Sequence, residues 1–187
     1  MAFNVYEFRS QMQGDGARPN LFEVQMTFPT FIAPGNAARK LTFMCKTASM
    51  PGSTIGHVPV FYFGRETKLA GNRTFPEWTL SILNDEDFAV RNAFEAWMNS
   101  MNHHVTNVRD LAAGNSLGYS TQALVKQFSK TGEILKQYTF EGIFPVDVSQ
   151  IDVDWGSNDT IEEFSVTLAY QYFTSFSQGA AGNRVIA

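Results

Sequence analysis

The sequence contains few charged residues, a single cysteine and no strongly basic stretch. Of its 187 residues, 17% are charged, and the formal net charge is −4. A general nucleic-acid-binding protein needs a basic surface to neutralise phosphates, so this balance argues against that class. Because Cys45 stands alone, no intrachain disulfide can form, and synthesis in a reducing cytoplasm is expected.

Long apolar runs are also missing, whereas aromatic residues are abundant. No stretch approaches the roughly 20 apolar residues that a membrane-spanning helix needs. The first ten residues lack a basic segment followed by an apolar run, so we expect no secretory signal. The chain nevertheless has 17 Phe, 6 Tyr and 3 Trp. Many aromatic residues beside few charges favour a surface that is partly covered by partners.

Alternating apolar and polar residues predict about eight strands. The clearest strand lies near the C-terminus, where small, polar or acidic residues alternate with Phe164, Val166, Leu168, Tyr170 and Tyr172. Further strands are expected at about 21–28, 40–46, 57–63, 77–83, 119–128, 133–141 and within 142–159. The pair 119–128 and 133–141 would form a hairpin in which Gly132 supplies a left-handed turn position.

This pattern predicts a mainly β protein, an antiparallel β-sandwich or partly open barrel. No linker or shift in composition divides the chain, so a single domain spanning 1–187 is expected. The small residues of 177–187 predict a flexible or interface-forming extension.

One amphipathic helix is expected at about 85–101. Asn84 is a suitable N-cap, and the acidic residues 85–87 would lie in the first turn, where the helix dipole favours negative charge. A single apolar stripe follows, formed by Val90, Phe94, Trp97, Met98 and Met101. We expect Phe94, Trp97 and Met98 to pack this helix across an open side of the sandwich.

No set of residues has the spacing of a catalytic or metal site. The side chains of adjacent His103 and His104 diverge, so the pair favours a polar segment after the helix over a zinc site. Cys45 alternates with Leu41 and Phe43, which favours a buried structural thiol over a nucleophile. We therefore expect neither enzymatic activity nor a cofactor. A small β-sandwich enzyme or ligand-binding module is the minor alternative, and it would need an apolar pocket with convergent polar groups.

The segment 64–73 (GRETKLAGNR) is predicted to be a polar loop bounded by Gly64 and Gly71. Arg65, Lys68 and Arg73 make it locally basic. It is either a solvated hairpin tip or a docking element that meets an acidic partner surface.

Several long motifs occur in a fixed order along the chain. They are CKTASMPGSTI (45–55), the continuous segment from GRETKLAGNR to AFEAW (64–97), YTFEGIFPVDVS (138–149) and IEEFSVTLAYQYF (161–173). Together they resemble the tail tube protein of contractile-tailed bacteriophages over about residues 15–176. Related tubes occur in contractile bacteriocins, extracellular injection systems and type VI secretion, so the inner tube of such a machine is the alternative.

The resemblance implies a hexameric ring in which each subunit lends strands to one ring-wide β-barrel. Rings would stack helically into a rigid tail tube inside a contractile sheath, and the tube would hold the tape-measure protein and then conduct DNA. The implied partners are the tail sheath, tape-measure, baseplate and tail terminator proteins. The implied location is the virion, after assembly in the host cytoplasm, with no membrane insertion of the subunit and no specific DNA binding.

Within that architecture we expect two sets of site residues. The segment 64–73 would contact an adjacent ring or subunit through Arg65, Glu66, Lys68 and Arg73. The channel lining would comprise Glu77, Thr79, Ser81, Glu163, Ser165 and Thr167, with Glu23, Gln25 and Thr27 as an alternative set. Small polar and acidic groups would repel phosphate and leave DNA without adhesive contacts. The sequence does not decide which of these strands face the channel.

Overall fold

The computed structural model describes residues 4–12, 14, 16–110, 113–177 and 184–186. Its α helices are α1 (Val5–Gln11), α2 (Ala37–Met44), α3 (Ala89–Met101) and α4 (Ser116–Tyr119), with a 3-10 turn at Thr30–Ile32. Its strands are β1 (Phe22–Met26), β2 (Cys45–Ala48), β3 (Thr54–Tyr62), β4 (Arg65–Thr74), β5 (Trp78–Leu83), β6 (Thr121–Phe128), β7 (Ile134–Val148), β8 (Glu163–Ala169), β9 (Tyr172–Ser177) and β10 (Arg184–Ile186).

Two antiparallel sheets share the long strand β7. Its first part pairs with β6 on one side and with β9 on the other, and its last residues pair with β8. Sheet 1 therefore runs β1-β6-β7-β9-β10, and sheet 2 runs β7-β8-β5-β2. Gly142 lies where β7 passes from one sheet to the other, and its φ of +67° is a left-handed conformation that glycine adopts without strain. The mainly β, antiparallel prediction is confirmed, and in the described residues the sheets do not close into a barrel.

The core lies between the two sheets, and the alternation of the strands accounts for it. The central strands of sheet 2 bury every second residue, as Leu80 and Ile82 of β5 and Val166 and Leu168 of β8 show. The ring of Trp78 stacks on that of Phe140 from the other sheet, with centroids 4.2 Å apart. Burying such aromatic surface is the main source of stability for a sheet-on-sheet fold.

The prediction that Tyr172 continues the apolar face of β8 is wrong. Strand β8 ends at Ala169, and the chain then turns so that the backbone N–H of Gln171 donates to the carbonyl of Glu141 (3.0 Å). Tyr172 begins β9 instead and is half exposed. A local alternation cannot reveal where a chain changes its pairing partner.

The strand predicted at 40–46 is also wrong, because most of that segment belongs to helix α2. Ala37 and Leu41 lie one turn apart and are fully buried, whereas Phe43 is 73% exposed. Only the short strand β2 follows, from Cys45 onward. Apolar residues at alternate positions suggested a strand, but the segment is a helix, in which the buried positions are four residues apart.

The predicted helix at 85–101 exists but begins later, at Ala89. Asn84 does not cap it, since its N–H donates to the carbonyl of Glu162 (2.8 Å) and extends the pairing of β5 with β8. The residue before the helix is Phe88, with φ +51°, and the Asp87 side chain accepts from the N–H of Ala89 (3.1 Å). The acidic residues therefore precede the first turn.

The apolar side of α3 packs into the core beside α2 and the 3-10 turn. Phe94 and Trp97 are fully buried, and the ring of Phe28 meets both edge-on, with centroids 5.1 and 5.8 Å away. Met98 is only half-buried. The Trp97 indole N–H donates to the carbonyl of Tyr119 (2.8 Å), so this buried ring keeps a polar partner.

The C-terminal segment 177–187 is described only in part. Residues 184–186 form β10 and pair with β9. Residues 178–183 and 187, on which most of the predicted extension falls, lie outside the described residues.

Candidate assembly surfaces

The segment predicted as a loop at 64–73 is instead the second strand of a long hairpin. β3 and β4 pair from Thr54 and Thr74 at the base to Tyr62 and Arg65 at the tip. The chain enters from β2 and leaves into β5, which are themselves paired, so the hairpin is a separate two-stranded sheet that follows from the ends of these two strands. Every residue of β3 is exposed, and so is all of β4 except Gly71.

This hairpin exposes large apolar side chains on both faces. Phe63 at the tip is 91% exposed, and the set also includes Ile55, Val58, Val60, Phe61, Tyr62 and Leu69. A two-stranded hairpin alone in water is marginally stable at best. Exposed apolar surface of this extent marks an interaction site. The hairpin is therefore the first candidate assembly surface.

The charged side chains of the hairpin do not form one patch. Arg65 lies opposite Tyr62, Glu66 opposite Phe61 and Lys68 opposite Pro59. Since successive residues of a strand point to opposite faces, Arg65 lies on one face and Glu66 and Lys68 lie on the other. Arg73 is near the base, beyond an irregularity in the register. The register of the hairpin therefore distributes these charges over both faces and does not gather them into one basic patch.

Four carboxylates that could pair with such cations, those of Asp85, Asp87, Glu162 and Glu163, already have partners within the chain. Lys40 Nζ lies 2.5 Å from Asp85 Oδ2 and also bridges to Asp87. Lys46 pairs with Glu163, and the Asn84 side chain donates to Glu162 (2.9 Å).

The bridge made by Lys40 also changes the ionisation of its members. Its hydrogen bonds lower the pKa values of the Asp85 and Asp87 carboxyls, and the two carboxylates raise the pKa of Lys40. This bridge ties α2 to the segment before α3, so a structural role accounts for it.

The outer face of sheet 2 is lined by small hydroxyl side chains and forms the second candidate surface. One row places Thr47, Ser81 and Ser165 side by side across β2, β5 and β8. The next row places Thr79, Thr167 and Asp147 together, with the two threonine hydroxyl oxygens 3.4 Å apart. Four of the six predicted lining residues therefore share one face: Thr79, Ser81, Ser165 and Thr167.

The two glutamates of the predicted lining lie at the margins of this face. Glu163 begins β8, opposite Leu83, and its ion pair with Lys46 partly neutralises it. Glu77 is exposed and precedes β5, outside the paired ladder.

The alternative lining on β1 belongs to the outer face of sheet 1, which has a different character. Lys126 lies opposite Glu23 and donates to the side chain of Gln25 (3.0 Å). Gln122 donates to Glu141 (2.6 Å) on the same sheet, and Thr27 lies just past the end of β1. Cross-strand hydrogen bonds between long side chains cover this face, whereas short hydroxyls cover sheet 2.

Cys45 and His103, the candidates for a nucleophile and a metal ligand, lie in structural surroundings. The Cys45 side chain is half-buried, and this partial burial raises the pKa of its thiol to about 12, so the thiol is protonated near neutral pH and is a poor nucleophile. His103 Nδ1 accepts from the N–H groups of Val105 (3.3 Å) and Thr106 (3.4 Å) in the turn after α3. Within the described ranges, no three His, Cys, Asp or Glu side chains are grouped as a metal site would require.

None of the helices in the described part of the chain combines the length and apolar character needed to cross a membrane.

The profile of the phage tail tube protein family matches residues 17–175. The chain belongs to this family. The resemblance found in the sequence motifs is thereby confirmed, and so is the tail tube assignment that it carried. The family is structural, and its members are components of the virion.

Two relatives in this family illustrate its range. Tail tube protein gp19 of Enterobacteria phage T4 is 31% identical over 166 residues, covering 88% of this chain and 95% of the relative. The tail tube protein of Serratia phage KSP90 is 25% identical over 168 residues, covering 89% and 93% of the two chains.

Solved structures share the fold at low sequence identity. A chain of the sheath–tube complex of the extracellular contractile injection system PVC, in its extended state, superposes with a TM-score of 0.59 at 14% identity. That match covers 95% of this chain and all of the other. A chain of the tube-terminating cap of the anti-feeding prophage gives 0.61 at 16% identity, covering 87% and 91%.

Proposed function

We propose that copies of this chain form hexameric rings that stack helically into the inner tube of a contractile phage tail. The observation that carries this proposal is the β3–β4 hairpin. Its apolar side chains are exposed on both faces, and a solitary ribbon of two strands gains stability only when another surface covers it. A neighbouring subunit, in the same ring or in the next, is the covering surface we propose.

The sheet edges support closure around a ring. β1 is an edge strand of sheet 1, and β2 is an edge strand of sheet 2. Each therefore has one side without a strand partner among the described residues. Unpaired strand edges invite association, and closing strands from several subunits into one barrel removes them. A head-to-tail contact that repeats around a six-fold axis closes, whereas stacked rings can continue as a filament.

The hydroxyl face of sheet 2 is our proposed channel surface. Thr79, Thr167, Ser81 and Ser165 present short side chains, and the nearby Asp147 and Glu77 add negative charge. Such a surface repels phosphate and offers few cations for DNA to bind. In this function the channel holds a tape-measure protein before ejection and conducts DNA during it. Sheath, baseplate and terminator proteins would contact the tube in the virion, and assembly would take place in the host cytoplasm.

The inner tube of a contractile injection or secretion system is the second candidate. This chain shares its fold with the PVC and anti-feeding prophage chains, and that similarity of architecture supports the second candidate. Neighbouring genes separate the two: a capsid protein and a terminase indicate a phage, and a secretion ATPase indicates the alternative.

Electron microscopy of the purified protein tests the assembly directly. Rings or hollow tubes with six-fold symmetry are the expected result. A chain that stays monomeric at every concentration would contradict the proposal.

The hairpin can be tested by comparing apolar and charged variants. A buried aromatic anchor contributes about 2–4 kcal/mol to an interface, whereas an exposed ion pair contributes about 0–1 kcal/mol. Replacing Phe61 and Phe63 with Ser should therefore abolish assembly. Replacing Arg65, Lys68 and Arg73 with Glu should only weaken stacking and make it dependent on salt.

A matched control for the hairpin variants is Phe43→Ser, which changes an exposed aromatic residue on α2. Its tubes should match those of the unchanged protein in yield and length. Normal tubes from the Phe61 and Phe63 double variant, with circular dichroism unchanged, would refute the role of the hairpin.

The channel assignment is tested by adding positive charge to each sheet in turn. Thr79→Lys with Thr167→Lys should slow DNA release from particles, because phosphates would then bind the bore. Gln25→Lys with Thr139→Lys places the same charge on the outer face of sheet 1 and should leave release unchanged. The reverse outcome would assign the channel to sheet 1.

A further inference from the structure

The connection between β7 and β8 contains Trp155, whose side chain is fully exposed. The other two tryptophans, Trp78 and Trp97, are buried. A tight turn holds it outward: Asp154 Oδ1 accepts from the N–H of Gly156 (3.0 Å), and the Asp154 carbonyl accepts from the N–H of Ser157 (3.2 Å). The side chain therefore projects from a structured turn.

The surroundings of this tryptophan are apolar and acidic. Val153 and Ile161 are also largely exposed, and Asp152 and Asp159 lie on the same connection. An exposed tryptophan beside other apolar groups is the usual composition of an interface anchor, and carboxylates around it select a partner with positive charge.

A cavity of matching character lies at the other end of β7. It has a volume of about 360 Å³ and is formed by Gly14, Gly16, Ala17 and Arg18 together with the turn between β6 and β7. Ala17, Phe128 and Leu135 contribute apolar surface, and Arg18 contributes positive charge. Its volume is within the range of about 300–1,000 Å³ that is typical of sites for small ligands.

The geometry of β7 keeps these two surfaces apart within one chain. The strand has 15 residues, and at about 3.3 Å per residue it would span roughly 45 Å if straight. The bend at Gly142 shortens this distance, but the turn before β7 and the connection after it still lie at opposite ends of the strand. Contact between the two surfaces therefore requires a second molecule.

We propose that Trp155 of one copy inserts into the cavity that Ala17 and Arg18 form with Phe128 and Leu135 of a second copy. Asp152 and Asp159 of the first copy then face Arg18 of the second. Because the surfaces differ, the contact is head-to-tail and can repeat without limit or close into a ring. This inference rests on the proposed assembly of copies and adds to it one anchoring contact.

Tryptophan fluorescence tests the contact in the assembled protein. Because Trp78 and Trp97 are already buried in the single chain, any change on assembly reports Trp155. We expect a blue-shifted emission and an at least severalfold loss of acrylamide quenching when tubes form, and Trp155→Phe should remove the change. Tubes visible by electron microscopy in which Trp155 is quenched as in the monomer would overturn this inference while leaving the proposed function intact. Absence of any assembly would refute both.

Charge exchange then tests the identity of the partner surface. Arg18→Glu should raise the protein concentration needed for assembly by about tenfold, which corresponds to about 1.4 kcal/mol. Combining it with Asp152→Lys and Asp159→Lys should restore assembly, because the pairing is regained with reversed signs. Trp155→Ala should also weaken assembly, because it removes the inserted ring. Leu117→Ala, which changes an exposed apolar residue on α4, is its matched control and should assemble normally. Independent, additive defects from the two charge changes would show that these surfaces do not meet.

Discussion

Replacing Gly142 with alanine should destabilise the fold by an amount that the backbone conformation sets. Gly142 has φ +67° at the point where β7 leaves sheet 1 and enters sheet 2. A residue with a Cβ is about 1–2 kcal/mol less stable than glycine in this left-handed region. A Cβ there would also lie 2.8 Å from Cγ of Gln171, but that side chain is exposed and can move. The total loss should therefore be about 1–2 kcal/mol.

Urea unfolding of the monomer measures this loss. With a slope of about 2 kcal/mol per molar urea, the midpoint should fall by roughly 0.5–1 M. Gly132→Ala is the matched control, since φ is +86° there and no atom lies within 4 Å of a new Cβ. The two variants should lose similar stability, and adding Gln171→Ala should recover any excess in Gly142→Ala. An unchanged midpoint for Gly142→Ala would refute the argument that this position requires glycine.

Three further predictions concern the core, an ion-pair bridge and the thiol. Phe94→Ala removes a fully buried ring and should lower the free energy of unfolding by about 3–5 kcal/mol; a loss in urea unfolding no larger than that of exposed Asn92→Ala would count against it. Lys40→Met should reduce stability near neutral pH but not in strong acid, because the bridge to Lys40 lowers the pKa values of Asp85 and Asp87. The stability that the bridge contributes is present above the ordinary Asp pKa and is lost as the pH falls through the lowered values. Urea midpoints at both pH values test this, and a loss independent of pH would contradict it. The Cys45 thiol, with its pKa raised to about 12, should be alkylated far more slowly in the folded chain than in urea at mildly alkaline pH, and equal rates would exclude its burial.

The parts of the fold that followed from the sequence are those in which one local rule dominates. The alternation in β5 and β8 predicted their buried faces because each strand has one side against the core and one against a wet surface. The 3.6-residue stripe predicted α3, and Gly132 marked the β6–β7 turn. The order of the long motifs along the chain also indicated the family, which composition alone could not do.

The errors fall where tertiary contacts outweigh local pattern. Leu41, Phe43 and Cys45 alternate like a strand, yet the contacts of α2 with β1 and α3 favour a helix in which Ala37 and Leu41, one turn apart, are the buried residues. The basic segment 64–73 has the composition of a loop, and its pairing with β3 alone made it a strand. No local signal indicated that Asn84 would continue the β5–β8 pairing instead of capping the helix.

By itself, the sequence determined the class of the protein and the buried faces of its principal strands, because these depend on residue type and spacing along one chain. The tertiary structure alone decided that the hydroxyls of β2, β5 and β8 form one continuous face, that the hairpin projects with its apolar side chains uncovered, and that Trp155 and its proposed cavity lie at opposite ends of β7. Those properties depend on which strands pair and in what register, and register is set by contacts between residues far apart in the chain.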